Sequence, residues 1–127
     1  MQRIFLTGLS GSGKSSVGRR VSELLRWDFI DTDTLLSERC GMPVGQILIE
    51  FGEQRFRQME SEALILSADY ERVVIATGGG AVISEANRTF MREYGLTFYL
   101  ETSVEIAWQR VQEQIHQSGK RDRKSVV

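Results

Sequence analysis

The feature that most restricts this chain is a stretch near its start, Gly8-Leu9-Ser10-Gly11-Ser12-Gly13-Lys14-Ser15. It follows the short apolar run Ile4 to Thr7 and precedes a helical pattern. The stretch satisfies G-x-x-x-x-G-K-[ST] in full. Its glycines let the backbone turn so that successive N–H groups point inward at phosphate oxygens. A helix beginning near Lys14 adds the positive end of its dipole to the same spot. In that geometry Lys14 reaches the β- and γ-phosphates of a nucleotide, and the Ser15 hydroxyl ligates magnesium. A plain glycine/serine turn has no need of a lysine there, so the stretch reads as a phosphate cradle rather than a flexible connector.

Beyond the cradle, short strand-like runs alternate with helical ones. The helix from Lys14 is expected to lay Val17, Val21 and Leu24 along one apolar stripe. Phe29 and Ile30 form a short apolar step that ends at Asp31. Residues 33 to 70 read as helix in pieces, broken near Gly41-Met42-Pro43 and again near Gly52, with Met59 at core spacing. Arg72 to Ala76 is rich in β-branched residues and leads to three consecutive glycines, Gly78 to Gly80. Glu85 to Tyr94 predicts a helix and Leu96 to Leu100 a strand. A final helix begins near Ser103, with Val104, Trp108, Val111 and Ile115 as its apolar stripe and His116 as a solvated residue. This alternation predicts an α/β fold: a mostly parallel sheet in a three-layer arrangement of the P-loop nucleotide-hydrolase type. Sheets of that kind bind ligands beyond the carboxyl ends of their strands. Residues 8 to 16, 31 to 33 and 78 to 80 all follow strands, so they are expected to converge on one site.

Composition narrows the setting. The chain has 127 residues, enough for a single domain with one real core. A formal charge of −1 gives no electrostatic pull toward nucleic acid or anionic membrane. The single cysteine, Cys40, cannot form an internal bridge and suits a reducing cytoplasm. No apolar run approaches the length needed to cross a bilayer, and the N-terminus lacks a signal-peptide pattern. A soluble cytoplasmic monomer is the default expectation, acting on a small molecule.

No N-K-x-D for reading guanine occurs, and the run Val73 to Ala76 does not end in a metal-binding aspartate. The segments FIDTD at 29 to 33, FGEQRFRQME at 51 to 60 and ATGGGAV at 76 to 82, together with the phosphate loop, resemble those of shikimate kinases in order and spacing. The resemblance implies transfer of the ATP γ-phosphate to the shikimate 3-hydroxyl, with ATP and Mg2+ as the bound species. It implies ATP contacts from Gly11, Ser12, Gly13, Lys14, Ser15 and Ser16. Asp33 matches the carboxylate that orients the reacting hydroxyl and accepts its proton, with Lys14 as its catalytic partner. Asp31 matches a residue near magnesium, acting through water beside Ser15. Arg57 matches the guanidinium that grips the substrate carboxylate, held in place by Glu60. Gly78, Gly79 and Gly80 match a loop where backbone approaches the substrate ring. Arg110 falls where the family stacks an arginine on adenine.

Plainer readings exist for the same residues. Asp31 and Asp33 suit helix caps, and Arg57, with Glu53 at i−4 and Glu60 at i+3, suits a surface ion pair. Two other functions stand beside the shikimate reading: another small-metabolite kinase of the same fold, and a non-catalytic nucleotide-binding module. Shikimate kinases carry a lid whose arginine precedes a proline and two leucines, then a further strand and a closing helix. Here the corresponding stretch ends as Lys120-Arg121-Asp122-Arg123-Lys124-Ser125-Val126-Val127. Arg123 matches the lid arginine by position, and residues 117–127 read equally as a lid remnant or as a disordered tail. The expectation is a single domain over 1–127 that lacks the last strand and helix and binds nucleotide better than it turns over.

Overall fold

The computed structural model of the protein describes residues 2–8 and 12–100. In chain order the elements are β1 (Gln2–Thr7), α1 (Lys14–Leu25), β2 (Asp28–Asp31), α2 (Thr32–Cys40), α3 (Val44–Ser67), β3 (Arg72–Ala76), a 3-10 turn (Ala81–Ile83), α4 (Glu85–Tyr94) and β4 (Leu96–Tyr99). The strands form one sheet in the order β2-β3-β1-β4, and every pairing is parallel. A parallel sheet needs cover on both faces, which is why β3 reads as an unbroken apolar run. Its Val73, Val74 and Ile75 are all 0% exposed.

Register sets the site. Leu6 and Asp31 both pair with Ala76, so β1, β2 and β3 end side by side. The loops leaving them therefore start from one edge.

Two apolar clusters hold this arrangement. Phe5, Leu64, Ala68, Val73, Ile75 and Met91 join the sheet to α3 and α4. Leu36, Ile47, Phe56 and Ala63 join α2 to α3, with Met59 packed against them as its spacing predicts. Each fully buried valine, leucine, isoleucine, phenylalanine or methionine among them contributes about 1.5–3 kcal/mol of apolar burial. The breaks expected near residues 41–43 and 52 are present. Gly41 (φ 70) caps α2, and Gly52 (φ 83, ψ 162) interrupts the helical path inside α3.

Some expectations are corrected. The first strand begins at Gln2 rather than Ile4, and the fourth ends at Tyr99 rather than Leu100. The stripe on α1 is not the contact face: Leu24 is 68% exposed, and the buried residues are Gly18 and Ser22. The reason is proximity. A Cβ at Gly18 would lie 2.5 Å from the Phe29 ring and 3.2 Å from Leu6 Cδ1, so α1 meets the sheet through small residues. The final helix expected from Ser103, with Trp108 and His116, lies outside the described residues, as does the stretch 117–127. Among the described residues, no helix is long and apolar enough to cross a membrane.

Candidate active site

Of the stretch between β1 and α1, the described residues are Gly8, Ser12 and Gly13. Gly13 is left-handed (φ 93) and serves as the N-cap of α1 without any side-chain cap, so the first amides of the helix are not capped by that residue. The Ser12 hydroxyl is buried and has no hydrogen-bond partner among the described residues. An orphaned buried donor beside a helix start whose N-cap glycine offers no side chain suits a phosphate oxygen. Lys14 Nζ donates to the Gly8 carbonyl at 2.6 Å. Burial pulls its pKa below the ordinary amine value, while the negative charges of Asp33 and Asp31 pull it back up. Gly8 is itself required: its φ is +141, and a Cβ there would lie 2.7 Å from the Leu100 carbonyl oxygen.

The edge of β2 supplies the next part. Ser15 Oγ donates to Asp31 Oδ2 at 2.6 Å. The other carboxylate oxygen, Oδ1, accepts from Asp33 N at 3.0 Å and Thr34 N at 3.3 Å. Asp31 thus caps α2 with one oxygen and accepts from Ser15 with the other. Asp33 is not the cap; it lies in the first turn of α2. Among the described residues no group of three metal-ligating side chains occurs. A hydroxyl plus a carboxylate is a donor set for a hard cation such as Mg2+, which takes most of its ligands from phosphate oxygens and water.

The third part forms around the glycines after β3. A Cβ at Gly78 would lie 2.8 Å from Asp33 Oδ1 and 2.8 Å from Glu60 Oε2. At Gly80 it would overlap Arg57 Nη1. The glycine loop is therefore the surface against which the protein's own carboxylates and guanidinium are seated. Arg57 Nη1 donates to Glu60 Oε1 at 3.0 Å, and its Nη2 faces Glu53 at 3.8 Å. Glu60 is 3% exposed, so this pair is held in place, whereas the Glu53 carboxylate is in water and contributes little.

Two carboxylates, Asp33 and Glu60, stand between the cations Lys14 and Arg57. Burial raises the pKa of Asp33 above the ordinary carboxylate range, Asp31 adds to the rise, and Lys14 opposes it. Burial likewise raises Glu60, with Arg57 opposing and Asp33 adding. Asp33, Glu60 and Arg57 thus gather around Gly78 and Gly80, with Lys14 linked to Asp33 through its field. A separate shallow groove, lined by Glu53, Gln54, Arg57, Gln58, Ser61 and Ser84, opens at Arg57 and includes neither Lys14 nor Asp33.

Of the residues singled out in the sequence, Ser12, Gly13, Lys14, Ser15, Asp31, Asp33, Arg57, Gly78 and Gly80 meet at this edge. Ser16 is exposed on α1, and Gly79 is exposed at the tip of its loop. Gly11, Arg110 and Arg123 lie outside the described residues. Neither Thr32 nor Thr77 was given a role from the sequence. Both are buried, and each ties a loop of the site to a neighbouring element. Threonine directly after a strand end, beside a functional residue, was the only signal for them.

A family model for shikimate kinase matches residues 10–125. The shikimate kinase of Nitratidesulfovibrio vulgaris is 46% identical over 109 residues, which is 86% of this chain and 62% of that protein. The chain thus spans less than two thirds of the length of that curated relative. Among solved structures, the shikimate kinase from Acinetobacter baumannii in complex with shikimate superposes with a TM-score of 0.83 at 35% identity, over 93% of this chain and 66% of that one. The shikimate kinase from Bacteroides thetaiotaomicron gives a TM-score of 0.85 at 36% identity, over 95% and 66%.

Proposed function

The chain belongs to the shikimate kinase family, and on that premise we propose that it transfers the γ-phosphoryl group of ATP to the 3-hydroxyl of shikimate. The observation that carries the reading is the meeting of a phosphate cradle with a carboxylate and a guanidinium across one glycine loop. The shikimate bound to the A. baumannii enzyme supports it further.

Each residue then has a task. The backbone from Ser12 to Ser15 and the Ser12 hydroxyl receive phosphate oxygens at the start of α1. Lys14 neutralises the β- and γ-phosphates. Ser15 and, through water, Asp31 would hold Mg2+, which when bound would offset charge on the phosphates. Arg57, braced by Glu60, takes the substrate carboxylate with its planar edge. That contact sets the acceptor hydroxyl against Asp33. Its oxygen forms a bond to the γ-phosphorus while the bond to the β–γ bridging oxygen breaks, leaving ADP. The hydroxyl proton passes to Asp33, whose raised proton affinity brings it closer to the task of a base. Gly78 to Gly80 let the acceptor ring approach backbone. Arg110 and Arg123 are assigned, by family position, to the adenine and to the phosphates. The chain is read as one domain and one copy, in the cytoplasm.

Thermal-shift measurement tests the substrate class. MgADP with shikimate is expected to raise the melting temperature beyond MgADP alone, through binding to the native state. Gluconate and nucleoside monophosphates are expected to add nothing. Stabilisation by those compounds and not by shikimate would overturn the assignment.

A further inference from the structure

Between Asp31 and Asp33 stands Thr32, 1% exposed, whose hydroxyl oxygen accepts the Gly78 N–H at 3.1 Å. The residue before Gly78 is pinned in the other direction. Thr77 N and Thr77 Oγ1 both donate to the Leu6 carbonyl at 3.0 Å. The glycine loop is therefore tied on one side to β1, which feeds the phosphate loop, and on the other to the first residue of α2. The Thr32 tie is the more consequential, because Gly78 is where Asp33 and Glu60 press closest, both at 2.8 Å from the position a Cβ would take. Arg57 presses closely on Gly80, two residues on. A buried N–H that loses its acceptor must move or stay unsatisfied. Any movement of this loop displaces the surface on which all three charged side chains rest.

We propose that Thr32 is a positioning residue for the acceptor half of the site: its hydroxyl fixes the glycine loop so that Asp33 and Arg57 stand at the separation the acceptor requires. The proposal rests on the shikimate reading above and deepens it. A purely structural role predicts something different. Threonine at this place could serve only through its methyl group, filling space beneath the loop. Valine keeps that shape and removes the hydroxyl; serine does the reverse.

The test uses calorimetric titration of the 127-residue chain and its variants with MgADP and with shikimate. In Thr32→Val, shikimate is expected to bind about tenfold more weakly, the size of one lost buried hydrogen bond, while ADP affinity stays within about twofold. Thr32→Ser is expected to bring shikimate affinity back to within about threefold of the parent. Amide exchange read by NMR gives a ligand-free arm: Gly78 exchanges faster in Thr32→Val and stays protected in Thr32→Ser. Unchanged shikimate affinity in Thr32→Val overturns the proposal, as does equal loss of ADP and shikimate in both variants. If the parent chain binds no shikimate, the substrate assignment fails instead, and the Gly78 exchange rates decide the positioning role.

Discussion

The two halves of the site are built in opposite ways. The phosphate half is local: its described residues, Gly8 and Gly13 with positive φ and Lys14 at the start of α1, lie within seven positions of one another. The acceptor half is assembled from distant pieces, with Asp33 on α2, Arg57 and Glu60 on α3, and Gly78 to Gly80 after β3. In the first, the phosphate contacts proposed above come from residues adjacent in the chain, at one turn and one helix start. In the second, half-buried Asp33 and Arg57 stand beside buried Glu60, and their placement depends on the register of the sheet and on close contact across glycines. A local site survives substitution of its neighbours, whereas an assembled one can be lost through any of its supports.

The largest expected effect lies on the local half. Lys14→Ala removes a charge-assisted contact to two phosphates and is expected to weaken ADP binding about a hundredfold, given the strength of hydrogen bonds to charged groups. Shikimate affinity of the nucleotide-free chain is expected to stay near the parent value. Calorimetry with each ligand checks both, and comparable loss of both ligands would break the division into halves.

A smaller effect, with the opposite selectivity, is expected at Gly80. A Cβ there runs into the Arg57 guanidinium. The end of a long side chain can move away, so the fold survives while the carboxylate clamp does not. Gly80→Ala is expected to weaken shikimate binding about tenfold with ADP binding unchanged, again read by calorimetry.

The smallest concerns stability. Asp33 holds its proton more tightly in the folded chain than in the unfolded one. A carboxyl of this kind contributes stability that is fully present below its unfolded pKa and lost as pH rises through its folded value. Above that folded value the ionised Asp33 is therefore a cost. Asp33→Asn is expected to raise the melting temperature by a few degrees at pH 7, with the gain shrinking as pH falls through the carboxylate range. Calorimetric melting of both proteins between about pH 4 and 7, a range set by ordinary carboxylate values, checks the sign. A gain that grows on acidification would contradict it.

How much of this could be read in the sequence follows the same division. The phosphate loop was legible because its chemistry is carried by adjacent residues. The β-branched run Arg72 to Ala76 was legible because burial on both faces leaves a continuous apolar signature. Asp31, Asp33, Arg57 and the glycines were found through their joint resemblance to one family, since each alone suits a cap, an ion pair or a turn. Asp31 turns out to cap α2 with one oxygen and bind Ser15 with the other, a double use that no single-residue argument predicts. The α1 stripe misled because helix-to-sheet distance, set by Gly18 against Phe29, outweighed apolar periodicity. Thr32 and Thr77 were invisible for a related reason. Their partners, Gly78 and Leu6, come within reach through strand register, which periodicity along the chain does not show.

The claim on which everything depends is that both halves open into one cleft. Substituting Mn2+ for Mg2+ in the ADP complex and measuring proton relaxation of bound shikimate tests it directly. Strong enhancement is predicted, steepest for the proton on the carbon bearing the acceptor hydroxyl, together with its loss in Lys14→Ala at the same ADP concentration. Weak enhancement spread evenly over the ring protons, with shikimate bound, would place the two ligands in separate cavities and contradict it.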